Sequence, residues 1–494
     1  MSEEAVPGLR REAIGLREVL FQSITAMAPA AAVAASIPSG AAFAGGSLPL
    51  SVLIALVACL FTASCVAELA REMPAAGSVA TYTAQGLHPA VGFLVGWGYV
   101  FVEALVPPLL LLQLGFTTAG TLHQEWASYP EDLWWPWSLA GAVVIAVAGY
   151  WGVRASARFG TVLGVFEVLV FVVFAVWLIV RAGGDNTLSV FGTSHTAEGY
   201  GGISGVFAGS VYTVLAFAGF EAAAPLAEET KDPRRTMHRA VLGAALAIGL
   251  VYVLTTYAMS VYFGPDRFAK FGASGAGSWE GVARASFGLF WVLVFLAVIN
   301  STIANANACA TVSTRTAFAL ARIRVLPALF ARVHPRHRSP AAGVAVQCAV
   351  AVAVMLGLGL AYDPVTAFLL LATVIVTVVI GVYIVVNLAC AGYFLRRRRA
   401  LLRPVRHLVF PLLGIVAFVP ALLTAAGLPV FDFVTELTPP VSYAGPVVGA
   451  WMAAGAVILI FLLRRHPGRI AETARVHLDE TSSPAPSQSG AVQP

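Results

Sequence analysis

Phe217-Ala218-Gly219-Phe220-Glu221-Ala222-Ala223-Ala224-Pro225 falls inside an apolar run from 203 to 227. A glycine between aromatics, beside a carboxylate, is a poor recipe for continuous helix. Pro225 removes one more backbone bond. Far upstream, Met27-Ala28-Pro29-Ala30-Ala31-Ala32, with Pro38 beyond it, marks a matching place in the first apolar run. Either stretch alone also fits a simple proline kink. Irregular backbone at mid-membrane depth is tolerated only where it is buried in protein or lines a watery cavity. The two interruptions lie in spans 1 and 6, five spans apart. That is the spacing of two five-span halves repeated with inverted topology, and paired interruptions of this kind point to a transport site. No clear residue identity links the halves, so the repeat rests on spacing.

The rest of the chain supports a bilayer as solvent. Of 494 residues, 59% are hydrophobic and 11% charged, against about a quarter charged in soluble domains. Apolar runs near 20–43, 49–69, 90–118, 137–153, 160–181, 203–227, 239–263, 285–311, 341–361, 364–392, 405–427 and 443–463 suit about twelve spans of about 20 residues each. The first follows a polar, Arg-containing start and is too long for a signal sequence, so it reads as a true span. The fold class is an all-α integral membrane protein.

With the N-terminus in the cytoplasm, 26 of the 30 Lys and Arg fall on the inner side; only Arg181, Arg267, Lys270 and Arg284 fall outside. A wrong span count would dilute this bias, so it supports twelve spans with both termini inside. It also explains the net charge of +5 without a nucleic-acid partner. Trp126, Trp134, Trp135 and Trp137 read as an interfacial belt. The Pro/Ser-rich tail reads as disordered.

Charge inside a span is costly and points to function. Glu103, Glu167 and Glu221 lie deep in spans 3, 5 and 6, and no Lys or Arg lies comparably deep. Span 8 carries Asn300, Ser301, Thr302, Asn305 and Asn307, which suit either helix–helix hydrogen bonds or a cation or water site facing span 1. The five cysteines sit in apolar runs and the nine histidines in loops or tails. Neither set has metal-ligand spacing. No catalytic residue, cofactor or metal is expected, which sets aside an enzyme. At a broken span, freed N–H groups suit a carboxylate and freed carbonyls suit an ammonium. An α-amino acid offers both groups on one carbon.

The chain resembles the amino acid–polyamine–organocation (APC) superfamily of permeases from about Leu16 to Arg465. The most specific piece is Phe217-Ala218-Gly219-Phe220-Glu221 followed by Glu228-Glu229-Thr230-Lys231-Asp232-Pro233-Arg234-Arg235. Ala70-Arg71-Glu72-Met73-Pro74-Ala75-Ala76-Gly77-Ser78, Gly152-Val153-Arg154-Ala155-Ser156-Ala157 and Ser313-Thr314-Arg315 are similar to other family motifs. The resemblance implies a 5+5 inverted repeat with broken helices 1 and 6, plus two C-terminal helices. The corresponding segments are a cytoplasmic N-terminus at 1–18, repeats at 19–181 and 200–392, membrane helices 11 and 12 within 393–466, and the cytoplasmic tail at 467–494. It implies secondary transport, proton-coupled or by exchange, by alternating access across the cytoplasmic membrane. Carried over by position, the carboxylate site is Ala28, Pro29, Ala30, Ala31 and Ala32, and the amine site is Phe217, Ala218 and Gly219. Phe217 and Phe220 stand as an aromatic gate, Tyr99 and Glu103 near the side-chain pocket, and Glu221 as an acid sensing proton or substrate.

Two departures shape the expectation. Many members carry a Gly-rich segment where this chain has Pro29-Ala30-Ala31, and added β-carbons restrict approach to the backbone. Polyamines and other amines therefore stand beside amino acids as substrates. Some proton-coupled relatives have a span 5 Lys near the place of Glu167. Here Glu167 itself, with Glu221, Ser301, Thr302 and Asn305, is the expected ion-coupling set, for a proton rather than sodium.

Overall fold

The computed structural model describes residues 15–73, 78–151, 156–222, 224, 230–272, 275, 277–322, 327–331, 340–466, 468 and 470. Arg10, Arg11, Arg154, Pro225 and the tail from 471 lie outside them. Among the described residues the regular structure is helical. Ten helices are long and apolar enough to cross a membrane, and Trp135–Tyr150 and Ile203–Phe217 are shorter apolar helices. Each of the twelve apolar runs of the sequence thus contains helix among its described residues.

In chain order these are α1 (Leu16–Met27), α2 (Pro29–Ala31), α3 (Leu48–Glu72), α4 (Ser78–Gly86), α5 (Pro89–Glu125), α6 (Trp135–Trp151) and α7 (Ser156–Ala182). There follow α8 (Ile203–Phe217), α9 (Pro233–Phe263), α10 (Trp279–Phe287), α11 (Phe290–Arg322), α12 (Ala341–Tyr362), α13 (Pro364–Arg396), α14 (Phe410–Ala425) and α15 (Ala444–Arg465). The short α2 continues through a π turn at Ala32–Ser36 to Ser39. The wider turn lies just before Pro38, whose ring would otherwise crowd an upstream carbonyl.

The first span breaks at Ala28, one residue before the proline. Ala28 has φ 45° and ψ 66°, a left-handed conformation that costs an L-residue about 1–2 kcal/mol. Pro29 then occupies the first helical position, where its missing N–H is harmless. The helix of span 6 stops at Phe217, and Gly219 follows with φ 112°. Helices α11 and α13 each pack on α5, α9 runs along α3, and α1 lies against α9 and α11. The broken segments are thereby enclosed.

The two ends of the bundle differ. At one end His195 bonds Ser189 Oγ through Nε2 and Asp266 Oδ1 through Nδ1, each at 2.8 Å. Its backbone N–H donates to Ser47 Oγ. Three connecting segments meet there. At the far end of α3, Glu68 is 1% exposed and faces Arg71 at 3.3 Å, Arg406 at 3.2 Å, His238 at 3.7 Å and His407 at 3.9 Å. These bases come from α3, α9 and the π turn Val405–Val409 that leads into α14. Arg398 faces Glu72 nearby. Arg71, Arg398 and Arg406, three of the residues assigned to the inner side, thus lie at the end of α3 opposite the one where Asp266 meets His195.

Trp134 departs from the interfacial reading. It is 5% exposed, and its ring packs where Gly359 leaves room. Trp126, Trp135 and Trp137 are exposed, as a belt requires. Helix α4 had no hydropathy signal. It docks on α5 at Gly92, where a Cβ would come within 2.6 Å of the Ala80 carbonyl oxygen.

Candidate functional site

The two breaks touch. A Cβ on Gly219 would lie 2.7 Å from the Ala26 carbonyl, so the contact and the positive φ both require glycine. Ser23 Oγ donates to the Phe220 carbonyl at 2.8 Å. Beside this junction lies a cavity of about 60 Å³ bounded by helices α1, α2, α5, α8, α11 and α13.

Of the expected substrate residues, Ala28, Ala31, Ala32, Tyr99, Glu103, Ala218, Gly219 and Glu221 line this cavity. Pro29, Ala30, Phe217 and Phe220 do not. They are buried in the packing around it, Phe217 edge-on to Tyr252 and Phe220 tilted against Tyr383. Asn305 of the ion-coupling set also lines the cavity, and its Oδ1 accepts from the Cys309 thiol at 3.1 Å.

Glu221 is 2% exposed and held by three donors. Tyr383 O–H reaches Oε2 at 2.9 Å, Gly219 N–H reaches Oε2 at 3.3 Å, and Tyr99 O–H reaches Oε1 at 3.4 Å. The carboxylate therefore fastens the turn after α8 to α5 and α13. Glu103, one helical turn beyond Tyr99, has a different setting. It lies against Tyr99 and Cys309, and its Oε2 is buried with no hydrogen-bond partner.

At the α2 N-terminus, Pro29 has no N–H and Ala28 offers no side-chain cap. The N–H groups of Ala30 and Ala31 are the orphans that such an end leaves. The Ala31 carbonyl accepts from Gln113 Nε2 at 2.8 Å. Glu167 is 3% exposed and lies against Asn300 and Ser301. Neither Glu167 Oε2 nor Ser301 Oγ attains hydrogen-bond geometry. Thr302 is turned to its own helix, donating to the Val298 carbonyl at 2.7 Å. The acids thus fall in two places: Glu103 and Glu221 at the cavity, and Glu167 outside its lining.

Sequence reading passed over Gln113, Tyr252, Cys309 and Tyr383. Gln113 had a signal. Tyr99, Glu103, Val106, Leu110 and Gln113 recur at spacings of four and three, one face of a helix, and all five line the cavity. Tyr383 had none, being one aromatic in a long apolar run. Among the described residues no group of three His, Cys, Asp or Glu is placed to hold a metal ion.

A family model described as amino acid permease matches residues 18–467. Among curated proteins, the chain is 29% identical over 312 residues to a low-affinity putrescine importer of Escherichia coli (strain K12), covering 62% of this chain and 66% of that one. It is 26% identical over 319 residues to a branched-chain amino acid permease of Bacillus subtilis (strain 168), covering 61% and 65%. It is 28% identical over 320 residues to a chloroplastic cationic amino acid transporter of Arabidopsis thaliana, covering 60% and 52%. The matched part spans just under two thirds of the first two relatives and about half of the third.

Proposed function

We propose that this chain, which belongs to the amino acid permease family, is a secondary permease carrying amino acids across the cytoplasmic membrane by alternating access. Its termini lie in the cytoplasm in this reading, as the inner bias of Lys and Arg suggests. The observation that carries it is the acid-lined cavity at the junction of two broken helices. A substrate ammonium meets Glu103 Oε2 and carbonyl oxygens at the breaks, and a carboxylate meets the Ala31 N–H group. Glu221 reports occupancy by loosening or keeping its bonds to Tyr99 and Tyr383. Glu167, beside Ser301, carries the coupling proton.

A second reading is a polyamine or simple amine as substrate. It is favoured by the unpartnered Glu103 Oε2 and by a cavity lining that includes two acids and no Lys, Arg or His among the described residues. Similarity to a putrescine importer and to a cationic amino acid transporter supports it as well.

Uptake of labelled amino acids and of putrescine into proteoliposomes, with and without a pH gradient, tests both readings. Saturable uptake that rises with an inward proton gradient is expected. Competition by putrescine but not by alanine selects the amine reading. No uptake of any amine-bearing solute under either condition overturns both.

A further inference from the structure

Tyr252 stands on α9, an unbroken helix, and its side chain is fully buried. Its hydroxyl lies 2.8 Å from the Met27 carbonyl oxygen and 3.0 Å from the Ala216 carbonyl oxygen. Met27 is the last residue of α1, and Ala216 the penultimate residue of α8. Both carbonyls belong to the C-terminal ends of broken helices, where intrahelical donors run out. A phenol has one proton, so the two oxygens share a single donor. The ring is fixed edge-on by Phe217 at 5.3 Å. Glu167 is an electrostatic neighbour of the same hydroxyl.

We propose that Tyr252 is a positioning residue for transport: its one hydroxyl sets the spacing of the two broken ends and so the affinity for the substrate's ammonium. This rests on the permease reading. Ser23 also ties the breaks, but it spans from α1 to the Phe220 carbonyl. Tyr252 holds both from outside. Without its proton, two buried carbonyls lose their shared donor at once, and both ends drift from the arrangement that fits an ammonium. A side chain that merely filled space would act through its ring, which Tyr252→Phe keeps.

The test is Tyr252→Phe in the full chain, read in two ways. In proteoliposomes, KM for the best-transported amine-bearing solute should rise about tenfold while the maximal rate per folded transporter stays within about threefold; a lost shared bond of about 1.4 kcal/mol gives that factor. By hydrogen–deuterium exchange, peptides covering 24–32 and 214–222 should both exchange faster in the variant. If the variant does not fold, 3-fluorotyrosine at position 252 keeps the ring and hydroxyl while strengthening the donor, and KM should still move. An unchanged KM, or faster exchange at one break alone, overturns the proposal. Wild-type vesicles that transport nothing, with both peptides still responding, overturn the permease reading and leave Tyr252 as a structural tie only.

Discussion

Glu68 and the acids Glu103, Glu167 and Glu221 are all buried, but their company differs. Glu68 faces Arg71, Arg406, His238 and His407 within 4 Å. Glu103, Glu167 and Glu221 face hydroxyls, amides, a thiol and backbone, and no ion pair involves them among the described residues. Burying a carboxylate costs several kcal/mol unless it is paired. Glu68 meets that cost with the guanidinium groups of Arg71 on α3 and Arg406 on the π turn, and so works as a tie at one end of the bundle. These three acids have no resident cation among the described residues, which leaves room for a proton or an organic ammonium. Burial alone therefore does not separate these acids from Glu68; the missing counter-charge does.

Substitution on the two sides of this contrast should separate activity from stability. The largest effect is expected for Glu221→Ala, which strands the three donors that hold it, from Tyr99, Gly219 and Tyr383. At about 1–3 kcal/mol per stranded group, uptake should fall about 100-fold or more in protein that still elutes as a single species. Glu68→Ala should do the reverse. Removing one side of a buried pair costs about 3–5 kcal/mol, less here because Arg71 and Arg406 reach water. The thermal midpoint should drop by several degrees while KM changes less than about threefold, as read by parallel thermal and uptake assays. Glu103→Gln should weaken binding of diamines about tenfold more than binding of neutral amino acids, the size of one charge-assisted bond, in a competition series.

Glu280, outside the spanning helices, gives an intermediate case: buried, uncharged in its surroundings, and away from the cavity. Its Oε1 has no partner, and burial pushes the carboxyl from 4.5 up to about 7. The folded state thus holds a proton that the unfolded chain releases above 4.5. The stability it contributes is fully present below pH 4.5 and is lost as pH rises through 7. Glu280→Gln should raise the thermal midpoint relative to wild type at pH 8, with the gain shrinking toward pH 5. The smallest effect is expected for Arg406→Ala. That side chain is 47% exposed, and pairs of this kind contribute about 1 kcal/mol or less.

The spans, both breaks and the three deep acids were legible because hydropathy, proline and isolated charge are local signals. The exact turning points were not. Pro29 drew attention, yet the backbone turns at Ala28, since a proline starts a helix as readily as it ends one. Glu68 escaped notice because Arg71, three residues on, made it look like a rim residue. Its other partners lie 170 and more than 330 residues away in the chain. Tyr252 is one of three tyrosines in its apolar run and Tyr383 the single one in its own, and their bonds cross between helices far apart in sequence. Glu103 and Glu221 could be named from the chain, but which of them was satisfied and which was open depended on those distant tyrosines.

The central claim is that a cavity with acids and no cation binds amine-bearing solutes. Thermal-shift titration of the purified protein with amino acids and diamines, beside the Glu103→Gln/Glu221→Ala double variant, tests it most directly. Stabilisation of the wild type by at least one amine-bearing solute, absent in the double variant, is the predicted result. No stabilisation by any of them, or equal stabilisation of both proteins, would contradict it.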